Sequence, residues 1–119
     1  MSNLSSHILD ISTGRPAAGV AVHLARYQQG DYQPLASCHT DANGRIGAFT
    51  PAALPAGRYR LTAEIGAWFN AAGRETPYVH AQIELQLSEE QHYHLPFLIA
   101  PGGWSTLPRQ LSVSNKMDR

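Results

Sequence analysis

Val79-His80-Ala81-Gln82-Ile83-Glu84-Leu85-Gln86-Leu87 alternates apolar and polar side chains along its whole length. Successive side chains of an extended chain point to opposite faces, so this stretch reads as a half-buried antiparallel strand with one oily and one polar face. The same period of two recurs at Val20, Val22 and Leu24, at Tyr59, Leu61, Ala63 and Ile65, and at Tyr93, Leu95, Phe97 and Ile99. Between these runs lie Ser12-Thr13-Gly14-Arg15-Pro16, Gln28-Gln29-Gly30-Asp31, Asp41-Ala42-Asn43-Gly44 and Pro101-Gly102-Gly103, where Gly, Asn and Pro supply the backbone angles that turns require. Short alternating strands separated by turns predict an all-β, two-sheet antiparallel sandwich. A single short helix is expected from about Ala67 to Ala72, ending at Gly73.

With 119 residues the chain holds one domain and its core. Residues 1–110 are expected to form the sandwich, and 111–119, where alternation gives way to Ser, Asn, Lys, Asp and Arg, a polar and mobile tail. Nine basic and nine acidic residues cancel, so no charged stripe announces a nucleic acid, and a small molecule is the expected partner. The amino terminus lacks the charged and apolar regions of an export signal, and no run approaches the ~20 apolar residues of a spanning helix. No membrane association and a cytoplasmic location are therefore expected. The lone Cys38 excludes an internal disulfide framework and a thiolate-rich zinc site.

Six histidines stand out less by number than by position. His92 and His94 are two apart and would share a strand face, opposite Tyr93, Leu95 and Phe97. His7 lies in another strand-like segment, with Ser5 and Leu9 on its side. Taken singly, each histidine reads as a hydrogen-bonded structural or surface group. Zinc held by His7, His92 and His94 is the competing reading, weakened by the lack of a fourth protein ligand and of a diagnostic spacing. Neither metal nor cofactor is expected. Arg45 follows the Asp41-Ala42-Asn43-Gly44 turn, where an arginine is ordinarily solvated.

Five collinear segments together carry a specific resemblance. They are Ser6-His7-Ile8-Leu9-Asp10 with Thr13 to Val20, then Thr40 to Ile46, then Gly57-Arg58-Tyr59-Arg60-Leu61, then His92 to Pro101, and finally Trp104-Ser105-Thr106. From about Leu4 to Thr106 the chain resembles the transthyretin-like family of 5-hydroxyisourate hydrolases. That resemblance implies a transthyretin-like sandwich, paired into dimers and then into a homotetramer with a central channel. It also implies that His7, Arg45 and His94 surround a small cyclic substrate there, without a cofactor. The implied reaction is hydrolytic opening of a cyclic ureide, 5-hydroxyisourate of urate catabolism foremost. A base near neutral pKa and a donor for the developing oxyanion are the groups it needs.

The family's hydrolases end in Tyr-Arg-Gly-Ser after a Tyr-Ser-Thr segment, whereas here Trp104-Ser105-Thr106 is followed by Leu107-Pro108-Arg109-Gln110 and nine further residues. Leu107 and Arg109 are then the expected substrate-binding residues of a remodelled wall. Pro108, lacking an N–H, is expected to turn the tail onto another path. Two alternatives follow: an enzyme of the same fold acting on a different cyclic amide or related ring, and a non-catalytic channel-binding protein. Loss of the histidines and arginine would mark the second, and this sequence keeps them.

Overall fold

Alternation in sequence becomes alternation in burial. The computed structural model describes residues 2–88 and 91–112, the last four by backbone alone. Along the chain run β1 (Asn3–Asp10), β2 (Arg15–Pro16), β3 (Ala21–Gln28), β4 (Asp31–His39), β5 (Arg45–Ile46), β6 (Gly57–Ala63), α1 (Ile65–Ala71), β7 (Ala81–Leu87), β8 (Gln91–Ala100), β9 (Gly103–Thr106) and β10 (Arg109–Ser112). One sheet is ordered β10-β8-β1-β2, with β5 also on β1 and β9 also on β8; the other is β4-β3-β6-β7. This is the expected two-sheet sandwich with one short helix. Its pairs are antiparallel except β1 with β8, which run parallel from Asn3 opposite His92 to Asp10 opposite Ile99. The whole second sheet lies between those two strands in sequence, the long crossover that a parallel pair needs.

Leu4 and Ile8 of β1 and Leu95, Phe97 and Ile99 of β8 join Val22, Leu24, Tyr59 and Leu61 of the second sheet in one buried cluster. Each large apolar side chain so buried contributes about 1.5–3 kcal/mol before the entropy of ordering it. Two polar groups enclosed with them are bonded: Tyr59 Oη donates to Pro55 O at 2.7 Å, and Ser6 Oγ, on β1, to Leu95 O of β8 at 2.7 Å. Since the even positions of β1 and the odd positions of β8 are spent on the core, Ser5, His7, Leu9, His92, His94, Pro96 and Leu98 share the outer face of the first sheet.

Three details depart from the sequence reading. The helix begins two residues earlier than expected, burying Ile65, Gly66 and Phe69. A Cβ at position 66 would lie 2.5 Å from Tyr78 O and 2.6 Å from Val79 O, so only glycine lets the helix sit this close to the segment before β7. Gly66 N–H donates to Val79 O, and the ladder starts only at Ala81, with Val79 73% exposed. Strand β4, absent from the sequence reading, edges its sheet and is mostly exposed, with Ala36 and Cys38 packed only in part against the core.

The third departure concerns the tail, which does not take another path. Thr106 pairs with Phe97 and Arg109 with His94, three residues on each strand, so the register passes through Leu107-Pro108 unshifted. Two prolines explain the gap between β9 and β10: Pro108, and Pro96 on β8, which the register sets opposite Leu107, lack the N–H that a ladder bond needs. Leu111 and Ser112, counted with the 111–119 tail in the sequence reading, still pair with β8, and the rest of that tail lies outside the described residues.

Asp10, at the end of β1, has a side chain only 2% exposed and receives Arg74 Nη1 at 2.7 Å, while the Arg74 guanidinium lies 4.9 Å over the Phe69 ring. Ser12 N–H donates to the same carboxylate at 3.0 Å. Burial pushes this carboxyl up, but the Arg74 and Ser12 bonds together outweigh it and hold it below its ordinary value. The stability it supplies is therefore present above the unfolded carboxyl range near pH ~4 and is lost as pH falls through the lower folded value. Asp10→Asn should lower unfolding stability by about 1–3 kcal/mol at pH 7, the scale of charge-assisted bonds, and flatten this part of the acid dependence in urea titrations at several pH values.

Candidate functional site

The turn before β5 delivers Arg45 to β1. Asp41 Oδ1 accepts from Asn43 N–H at 2.8 Å and from Arg45 N–H at 2.9 Å, closing a tight loop. Gly44 completes it at φ 75°, where a Cβ would stand 2.5 Å from Ile8 O; Ile8 N–H donates to Gly44 O. Arg45 then pairs with His7 in register. From the other side, the parallel register sets Ser5 beside His94, and the His7 and His94 ring centroids come within 6.5 Å. The three residues singled out in the sequence are therefore neighbours on the outer face of one sheet.

An open concavity of ≈ 400 Å³ is lined by Ser5, Arg45, Gly47, His92 and His94 among others. Ser5, 8% exposed, holds both histidines of β8: its Oγ is 2.8 Å from His94 Nδ1 and 3.3 Å from His92 Nε2. Burial and then the positive charge of Arg45 lower the His7 pKa, outweighing the hydrogen bond to the Asn43 backbone and the Asp41 carboxylate. His7 is consequently a neutral imidazole at pH 7, able to accept a proton beside a cation that can stabilise an oxyanion. Arg45→Gln should raise the His7 pKa, which the pH titration of its ring-proton NMR signals reads; an unmoved titration would contradict this coupling.

Of the two expected substrate-binding residues, Leu107 is 71% exposed, while the backbone register sets Arg109 opposite His94. Among the described residues no three His, Cys, Asp or Glu side chains gather as a metal site would require, and the Ser5 hydroxyl stands within reach of both His92 and His94. Sequence reasoning put Ser5 on the His7 face but gave it no part in the site. Only the register of β1 on β8, invisible to periodicity, brings it between the two histidines.

Comparison with known proteins agrees with this fold. The family model described as HIUase/Transthyretin family matches residues 4–108. A 5-hydroxyisourate hydrolase from Caulobacter vibrioides is 40% identical over 111 residues, covering 89% of this chain and 96% of that protein. The solved 5-hydroxyisourate hydrolase of Klebsiella pneumoniae is 60% identical, with a TM-score of 0.84 over 92% of this chain and 99% of its own. Transthyretin from Sparus aurata superposes as well, at a TM-score of 0.86 with 28% identity, over 92% of this chain and 97% of its own. Sequence and fold thus converge over nearly the whole sandwich, and the chain belongs to the HIUase/transthyretin family.

Proposed function

We propose that this protein is a hydrolase that opens the ring of 5-hydroxyisourate, a cyclic ureide of urate catabolism, with His7, Arg45 and His94 as its catalytic groups. The convergence of two imidazoles and one guanidinium on the outer sheet face carries the reading. The names of the related hydrolases supply the substrate. His7, held neutral, takes a proton from water as the oxygen attacks a ring carbonyl. Arg45 stabilises the oxyanion of the tetrahedral centre. That centre collapses with cleavage of the ring C–N bond, and the leaving nitrogen takes up a proton, so the product is a ring-opened acid. His94 orients the substrate and donates a hydrogen bond to it.

Leu107 and Arg109 are the proposed substrate-binding residues, a role supported by the backbone register that sets Arg109 opposite His94; the Arg109 side chain lies outside the described residues. A second reading, hydrolysis of a different cyclic amide, is favoured by the Leu107-Pro108-Arg109-Gln110 sequence at that wall. Assay of the protein on 5-hydroxyisourate, hydantoins and dihydropyrimidines separates the two. Replacing positions 107–110 with Tyr-Arg-Gly-Ser should raise 5-hydroxyisourate hydrolysis under the first reading and abolish a native activity on another ring under the second. No change in either activity would remove these positions from the site.

The working form is a homotetramer, a dimer of dimers with the site at a subunit interface. Its support is the half-buried Leu9, Pro96 and Leu98 around the polar centre of the outer face, apolar surface suited to a second copy. Sedimentation at micromolar concentration should give four times the 13.0 kDa chain; a monomer would contradict both assembly and site. A cytoplasmic location suits the unpaired Cys38. No helix among the described residues is long and apolar enough to cross a membrane.

A further inference from the structure

We infer that Ser5 is a positioning residue of this site: its hydroxyl, shared between His92 and His94, fixes His94 as the tautomer that donates from Nε2. A serine hydroxyl carries one proton, so between two imidazole nitrogens it donates to one and accepts from the other. The contact to His94 Nδ1, at 2.8 Å, is the shorter, so the single hydroxyl proton is assigned there, and the oxygen is left to accept from His92 Nε2 across 3.3 Å. The chain of bonds then runs from His92 Nε2–H to Ser5 Oγ, and from Ser5 O–H to His94 Nδ1. An imidazole that accepts at Nδ1 while neutral must carry its proton on Nε2, the nitrogen Ser5 does not use. His94 is thereby fixed as a donor, complementing His7 as the base.

The arrangement follows from the fold. The parallel register puts Ser5 beside His94, and because β1 and β8 alternate in step, Ser5, His92 and His94 all lie on the outer face. Ser5 is 8% exposed and its hydroxyl is in reach of both rings, so removing it takes away a bond from each imidazole. His92, which the sequence placed beside the site without a task, acts through Ser5.

This inference rests on the hydrolase reading for its consequence in turnover, but its test does not. In substrate-free protein labelled with 15N-histidine, His94 should show a protonated Nε2 and a bare, hydrogen-bonded Nδ1, and His92 a protonated Nε2. A protonated Nδ1 on neutral His94 would overturn the assignment. In Ser5→Ala the His94 preference should give way to a mixture of tautomers, and Ser5→Thr, which keeps the hydroxyl, should restore it; an unchanged His94 pattern in Ser5→Ala would overturn the role. If Ser5→Ala does not fold, the wild-type spectrum decides alone. In turnover of 5-hydroxyisourate, Ser5→Ala should lower kcat by about 10-fold to about 100-fold, the scale of a misoriented catalytic group, with KM changed far less. Should the protein prove inactive on that ring, the hydrolase reading fails while the spectra still judge Ser5.

Discussion

His94→Ala should reduce turnover of 5-hydroxyisourate by at least ~100-fold, the usual scale for removing a positioned proton-transfer or hydrogen-bonding group from a hydrolytic site. The side chain lines the concavity, bonds to Ser5 and has its ring centroid 6.5 Å from that of His7, so its loss removes the proposed substrate contact and the bond to Ser5 together. It lies outside the apolar core, so the variant should keep most of its thermal stability. Turnover by His7→Ala and Arg45→Ala should fall by a comparable factor, one losing the proposed base and the other the cation proposed for the oxyanion. His92→Ala should be milder, since His92 acts at one remove through Ser5. Steady-state rates for the four variants check this pattern; small and equal losses would mean that the chemistry occurs elsewhere.

The largest stability effect is expected one layer deeper on the same strand. Phe97 is fully buried, and its ring lies 6.1 Å from that of Trp104 at 49°. Phe97→Ala should cost about 3–5 kcal/mol, from lost apolar transfer and the cavity left in a close-packed interior. For a domain of this size that is a fall in Tm on the order of 15 °C. The consequence reaches the site, because Phe97 anchors the strand that carries His92 and His94 and pairs with Thr106 of β9. Urea unfolding of Phe97→Ala and Phe97→Leu gives the measurement, with the leucine variant losing much less. A cost under about 1 kcal/mol for the alanine variant would show that β8 is not the anchor of this sandwich.

What was legible in the sequence was whatever burial had written into it with period two. Strands β6 and β8 stood out because each buries one face against the other sheet, and the turn at Asp41 because its carboxylate and Gly44 have few substitutes there. Strand β4 left little trace, since most of its residues are exposed and Ala36 and Cys38 meet the core only in part. Alternation could set His92 and His94 on one face and Ser5 and His7 on one face, but not join those faces. That needs the parallel register of β1 on β8, a long-range fact that local pattern does not encode. The resemblance to a family bridged that gap for His7, Arg45 and His94, and left Ser5 unassigned. The missing N–H of Pro108 suggests a change of path, whereas the register on β8 continues unshifted to either side of it.

The central claim is that the outer face of the first sheet opens 5-hydroxyisourate through its two imidazoles. Ultraviolet absorbance of freshly generated 5-hydroxyisourate, recorded with wild-type protein, with a His7→Ala/His94→Ala double variant and without protein, tests it most directly. Wild-type protein should speed the decay well beyond the spontaneous rate, and the folded double variant should leave it close to that rate. Decay at the spontaneous rate with wild-type protein, or equal acceleration by the double variant, would contradict the account.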